Sequence, residues 1–393
     1  MNVQRVLYWQ WHSFLKTGAE RALRTLVPEV AVFSYQMEDW EKDDRFCEAF
    51  LTELKKEPFD AVFSINFNPL ISAICQGQGI PYLSWVYDAP LHIRDLSPLK
   101  NEVNQTYFFD RGEAESLRGQ GYPVMDLSLA GDVVTFQERI TKASSAERER
   151  FRSDIALVGQ LYQTEYAYYM GPLTPYQRGF LEGILNAQGK VYGGYFLPEL
   201  LTQEFLEGMN ERYRKASGGT AGITERELTY LLAQEITGRE RLMALSLLGR
   251  RFPVELYSTN KEERLPKRED GQKTGVRCHP YIDYYDGMPL VLAGAKINLN
   301  ISLKCIRTGV PLRVFDVLAC GGFLLTNFQA ELPELFNPGE ELVCYQSMEE
   351  LVTLTDFYLK HDEERRRVAE NGRRRIEADY TPEKQMKKIL EKL

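Results

Sequence analysis

Twelve short β-rich apolar runs, each followed by a polar or helical stretch, leave this chain few folds to choose from. Six fall in the first 135 residues: Val6–Gln10, Val30–Tyr35, Ala61–Asn66, Tyr82–Tyr87, Gln105–Phe109 and Val124–Leu129. Six more follow: Asp154–Gly159, Val254–Tyr257, Val276–His279, Lys296–Ile301, Phe323–Asn327 and Leu342–Tyr345. Strands that alternate with helical segments build parallel sheets covered on both faces. The reading is α/β, with two Rossmann-like units in tandem. The 393 residues also exceed what one hydrophobic core usually serves.

Between the two series, Phe136 to Arg152 contains Glu-Arg-Glu-Arg and little apolar material, which suits a linker or a surface helix between domains. The N-terminal domain is then 1–135, the linker 136–152 and the C-terminal domain 153–380. Roughly ninety residues separate the first two strands of the second series, far more than one crossover helix needs. Their pattern is helical over about 165–250. Ser217-Gly-Gly-Thr-Ala-Gly222 looks like a break, and Thr224 with Glu227 makes a capping box. This helical insertion either covers a cleft between the domains or forms a homodimer contact. Thr381-Pro382 supplies an N-cap and a proline at the first helical position, opening a final helix over 381–393.

Hydrophobic residues at 44% and charged residues at 26% are those of a globular protein. A net charge of -8 disfavours indiscriminate binding to nucleic acid. The Arg365 and Arg373 basic runs sit among glutamates and read as a salt-bridged helix face. No window approaches a membrane span and no secretory leader is evident, so a cytoplasmic location is expected. The six scattered cysteines and four separated histidines form neither a disulfide framework nor a metal site.

In parallel sheets, ligands bind beyond the carboxyl ends of the strands. The residues there are Trp11-His12, Asn66 and Asn68, Asp88 and His92, and Asp110-Arg111. Asp88 ends an apolar run before Ala-Pro; it is either a general base or a turn carboxylate bonding its own backbone. His12 has the same kind of position. In the second series, Gly309-Val-Pro311 presents a helix N-terminus, where backbone N–H groups favour a phosphate. Lys304, Arg307 and Arg313 add positive charge around it. Asp316 follows on the same helix, where a carboxylate can accept from a ribose diol. His279 and Tyr281 follow a strand, with Tyr284 and Tyr285 just beyond; a structural role is one reading of all four, and stacking on a base another for the tyrosines.

The run Asp316-Val-Leu-Ala-Cys-Gly321, the strand Phe323-Leu-Leu-Thr-Asn327, and then Glu331-Leu-Pro-Glu334, Gly339-Glu-Glu-Leu-Val and Ser347-x-Glu-Glu-Leu resemble the family-1 glycosyltransferases, specifically their spore-maturation-protein CgeB-like branch. The likeness is strong over roughly 276–393, and Ser84-Trp-Val-Tyr-Asp88-Ala-Pro90 resembles the N-terminal domain usually fused to that branch. The resemblance implies GT-B architecture, two Rossmann-like domains facing across a cleft, with an acidic residue near the nucleotide ribose, which Asp316 matches, and a base-binding loop after the strand that ends at His279, so that His279 is either a base contact or a structural histidine. Many retaining members carry two glutamates eight apart; here those places hold Thr308 and Asp316.

What the resemblance implies is a hexosyltransferase-type enzyme that moves a sugar from a nucleotide-diphosphate donor, a UDP-sugar, to a hydroxyl of a glycan, protein or small molecule. No tightly bound cofactor and no metal are expected, since no Asp-x-Asp motif stands where one would be needed. Two alternatives stay open: a nucleotide-sugar epimerase, and a non-catalytic binding protein of the same fold.

Overall fold

All twelve expected strands are present, in two six-stranded, wholly parallel sheets. The computed structural model describes residues 3–219, 221–259, 265 and 275–393. These group into two units: one holds residues 1–143, 308–321 and 370–393, the other 144–307 and 322–369.

The first unit's strands are β1 (Arg5–Gln10), β2 (Glu29–Ser34), β3 (Ala61–Ile65), β4 (Tyr82–Val86), β5 (Asn104–Phe108) and β6 (Val124–Asp126). Their spatial order is β2-β1-β3-β4-β5-β6. β3 and β4 are buried along their whole length, as central parallel strands must be with helices on both faces. The polar residues they carry are paired: Ser64 Oγ lies 2.6 Å from the Tyr82 hydroxyl, and Ser84 Oγ donates to Thr106 Oγ1 at 3.0 Å. On one face the core gathers Leu7, Trp9, Phe46, Phe50, Phe67 and Phe108. Against the helix Lys16–Leu26 lies the C-terminal helix Pro382–Leu390, whose Met386, Ile389 and Leu390 are buried. Arg21 ties them, donating to Glu383 at 2.8 Å and to buried Asp132 at 2.6 Å. The C-terminal helix is capped by Thr381, which accepts from the Lys384 amide.

The second unit's strands are β7 (Ser153–Val158), β8 (Val254–Tyr257), β9 (Val276–His279), β10 (Ala295–Asn300), β11 (Leu324–Asn327) and β12 (Val343–Tyr345), in spatial order β12-β11-β10-β7-β8-β9. Ile155, Leu157, Leu256, Ile297, Leu299 and Leu325 fill its core. Between β7 and β8 the described residues form five helices, the longest Glu225–Gly249. They bury an apolar cluster that includes Leu181, Leu206, Met209, Leu228 and Leu232. Thr224 and Glu227 form the capping box of the long helix. Gly218, at φ 76°, ends the helix Gln203–Ser217; Thr220 of the expected break lies outside the described residues. The charged stretch before β7 contains the helix Ser145–Arg150, capped reciprocally by Ser144 and Glu147.

Among the described residues no helix is long and apolar enough to cross a membrane, and no cluster of three or more His, Cys, Asp or Glu could hold a metal ion. The six cysteines are unbridged.

Candidate functional site

In each sheet the strand order reverses once, between β1 and β3 in the first and between β7 and β10 in the second. The carboxyl ends beside such a switch point are where parallel α/β sheets take ligands.

At the first sheet's edge, Asn66 follows β3 in the left-handed region, with φ 60°. Asparagine tolerates that region better than most residues. Its Oδ1 accepts from the amides of Tyr87 (2.9 Å) and Asp88 (3.3 Å), while its Nδ2 donates to Asp88 Oδ2 at 2.7 Å. Asp88 Oδ1 accepts no hydrogen bond among the described residues. Burial pushes the half-buried Asp88 carboxyl up to about 6, the Asn66 amide pulling the other way. Around it stand aromatic rings: Trp11 stacks on Tyr87 with centroids 6.4 Å apart, and Phe14, 38% exposed, lies 5.9 Å from Tyr87. His12 is exposed, and its backbone N–H donates to Gln36.

Segment 308–321 belongs to this first unit. Asp110, wholly buried, caps the helix Arg111–Gly119 and accepts from the amides of Thr308 and Gly309, each at 3.0 Å. The Thr308 hydroxyl donates to the same carboxylate and accepts from the Gly112 amide at 2.8 Å. Gly309 is required there: a Cβ would lie 2.6 Å from Asp110 Cα. Its N–H, expected to face a phosphate, thus meets an internal anion, and Thr308 does the work of a cap. In the following helix, Leu312–Ala319, Asp316 is buried and accepts from Arg313 at 3.2 Å.

In the second unit the switch point is held by a residue that sequence reading passed over. Arg241, buried on the long helix, donates to the Gln160 carbonyl after β7 and to the Ile301 carbonyl after β10. Glycine at 159 leaves it room, a Cβ there lying 3.1 Å from the guanidinium. Beside it, Asn300, Ser302, Thr326 and Asn327 are buried and hydrogen-bonded to one another: Asn300 donates to Thr326 at 2.9 Å, and the Ser302 amide to Asn327 Oδ1 at 2.7 Å. Ser302, Lys304, Asn327 and Gln329 line a recess there with Gly193 and Gly194. Lys304 is turned inward: its Nζ is 3.0 Å from Glu240, 3.3 Å from the Val191 carbonyl and over the Tyr192 ring. Arg307 is more open, 3.9 Å from exposed Glu199 and over Tyr195.

The remaining candidates also lie in the second unit. His279 stacks on Tyr257 and meets buried Glu255 at 2.6 Å, a carboxylate shared with Arg277. Tyr281 is 62% exposed, whereas Tyr284 is buried against Tyr285. The structure therefore joins Arg313 with Asp316, Gly309 with Asp110, and Asp88 with Asn66. Glu240 and Arg241 had one sequence signal: adjacent charges in an apolar helical stretch whose faces are mostly spoken for.

Residues 239–391 match a family model described as "Glycosyl transferase-like". A comparison with curated proteins by sequence gives no match. Among solved structures, the Escherichia coli protein described as "Trehalose-6-phosphate", bound with UDP-2-fluoro glucose, superposes with a TM-score of 0.58 at 9% identity, covering 99% of this chain and 98% of that one. Anabaena HepE in complex with UDP-glucose gives 0.53 at 10%, covering 99% and 100%. Sucrose-phosphate synthase from Thermosynechococcus elongatus gives 0.52 at 14%, covering 99% and 98%. The fold is that of the GT-B glycosyltransferases, two parallel α/β domains.

Proposed function

We propose that the protein transfers a sugar from a UDP-sugar to an acceptor hydroxyl. One observation carries the reading: the stretch matched by the glycosyl transferase-like model, 239–391, supplies Arg241, Ser302, Lys304 and Asn327 about the carboxyl ends of β7, β10 and β11, with Arg307 a few residues further along the same loop. Two structures of the same fold hold UDP-glucose or UDP-2-fluoro glucose, which supports the choice of donor. In this reading Arg307 meets the diphosphate, because arginine pairs bidentately with phosphate oxygens and Lys304 is already committed to Glu240. Arg313 and Asp316 serve the nucleotide, Asp316 toward the ribose; His279 and Tyr281 are proposed for the base. Asp88 takes the acceptor proton; with a pKa of about 6 it is ionised at neutral pH yet basic enough to act.

The test is a thermal-shift series with UDP, uridine and UDP-sugars, followed by product detection with sugar acceptors. A ligand that binds the native state at a hundred times its Kd adds about 2.7 kcal/mol of stability. UDP is expected to stabilise the protein, and Arg307→Ala to weaken UDP binding far more than uridine binding. Absence of any shift with every nucleotide and nucleotide-sugar would sink the reading. Thr308, which stands where many retaining relatives have a glutamate and is tied to Asp110, favours a second reading, binding without transfer. Binding of a UDP-sugar with no product from any acceptor would select it.

A further inference from the structure

We infer that Asn66 is a positioning residue for Asp88, holding the carboxyl by one oxygen so that the other stays open to an incoming hydroxyl. The inference rests on Asp88 being the proton acceptor. One carboxamide makes all three bonds at the turn: Oδ1 receives two successive amides of the β4 loop, and Nδ2 reaches Asp88 Oδ2 at 2.7 Å. The β3 turn thereby fixes both the backbone that carries Asp88 and the side chain itself. Asn66 is itself 1% exposed and anchored, its amide donating to the Trp85 carbonyl at 2.9 Å.

A residue that only capped the turn would need the Oδ1 bonds and not the Nδ2 bond. The Nδ2 bond stabilises the charged carboxylate, opposing the desolvation around it. Burial is the larger influence on the Asp88 carboxyl, and this amide opposes it. Asn66 therefore bears on when Asp88 is ionised as well as on where it points.

Asn66→Asp separates the two roles. It retains an oxygen for the two backbone amides and replaces the donor facing Asp88 with a second carboxyl, and carboxyls that close titrate as a pair with one pKa strongly raised. Asn66→Gly keeps the left-handed backbone at no steric cost and removes the side chain, which covers the case in which Asn66→Asp does not fold. The Asp88 carboxyl is followed by carbon-13 NMR against pH in the whole protein, without donor or acceptor. Its titration should move up by about one unit or more in Asn66→Asp, and upward by less in Asn66→Gly. The acid limb of sugar transfer should move with it. An Asp88 titration unchanged in both variants overturns the inference, as does a limb that stays put while the carboxyl moves. Failure to find any transfer refutes the activity separately and leaves the NMR result standing.

Discussion

Asp88 carries a stability cost that its role in the proposed reaction would explain. Its carboxyl is raised from the ordinary value of 3.8 to about 6. A raised acid pKa means that folding favours the neutral form, so the stability present at acid pH is lost as pH climbs through 6. The shift of roughly two units corresponds to about 3 kcal/mol at most. Asp88→Asn keeps the Asn66 bond without the desolvated charge. Chemical denaturation should find this variant more stable than the parent at pH 8, by about 1–3 kcal/mol, and the difference should fade toward pH 4. Turnover by the same variant should drop roughly a hundredfold or more, the usual scale for losing a general base, with UDP binding intact. A variant no more stable at pH 8 would mean the carboxyl is better solvated than its surroundings indicate.

At the scale of elements, the turn before Leu312–Ala319 is built from a close approach. In Gly309→Ala the new Cβ would meet Asp110 backbone at 2.6 Å, and relief of such overpacking costs typically about 1–3 kcal/mol. Gly77, on the helix Pro69–Gln78, has nothing within 4 Å of its missing Cβ. Gly77→Ala should stabilise by about 0.5–1 kcal/mol, since glycine is a poor helix former. Opposite shifts of the two urea midpoints are the expected result, and equal shifts would count against the Asp110 contact. Elements of this kind were partly legible beforehand. The twelve strands show because buried parallel strands are unbroken apolar runs, and the caps at Thr224 and Thr381 show because they depend on local chemistry. Asp110 read only as a residue beyond the carboxyl end of a strand, since its partners Thr308 and Gly309 lie almost two hundred residues away. Arg241 was hidden for the same reason: its partners are backbone carbonyls, which carry no side-chain signature.

At the scale of the molecule, the first unit is assembled from three separated pieces of chain, 1–143, 308–321 and 370–393. An amphipathic helix announces that it needs a core, and nothing in its sequence says which one. Ending the chain at Tyr380 would strip Met386, Ile389 and Leu390 from the helix Lys16–Leu26 and leave Arg21 without Glu383. Each lost apolar side chain is worth about 1.5–3 kcal/mol. All four tryptophans, Trp9, Trp11, Trp40 and Trp85, lie in the first unit, so their fluorescence reports on it alone. The tryptophan-detected unfolding midpoint of the truncated chain should fall steeply; an unchanged midpoint would make the C-terminal helix an ornament. The same discontinuity sets a timetable in the cell. Ribosomes add about 5–20 residues per second, so roughly 10–50 s of synthesis separate Ala143 from the last residues of this sequence. Through that interval the helix Lys16–Leu26 has no Pro382–Leu390 to cover it, while all of 144–307 emerges in between. The unit begun first is finished last, and the apolar face that the C-terminal helix covers stays open until then.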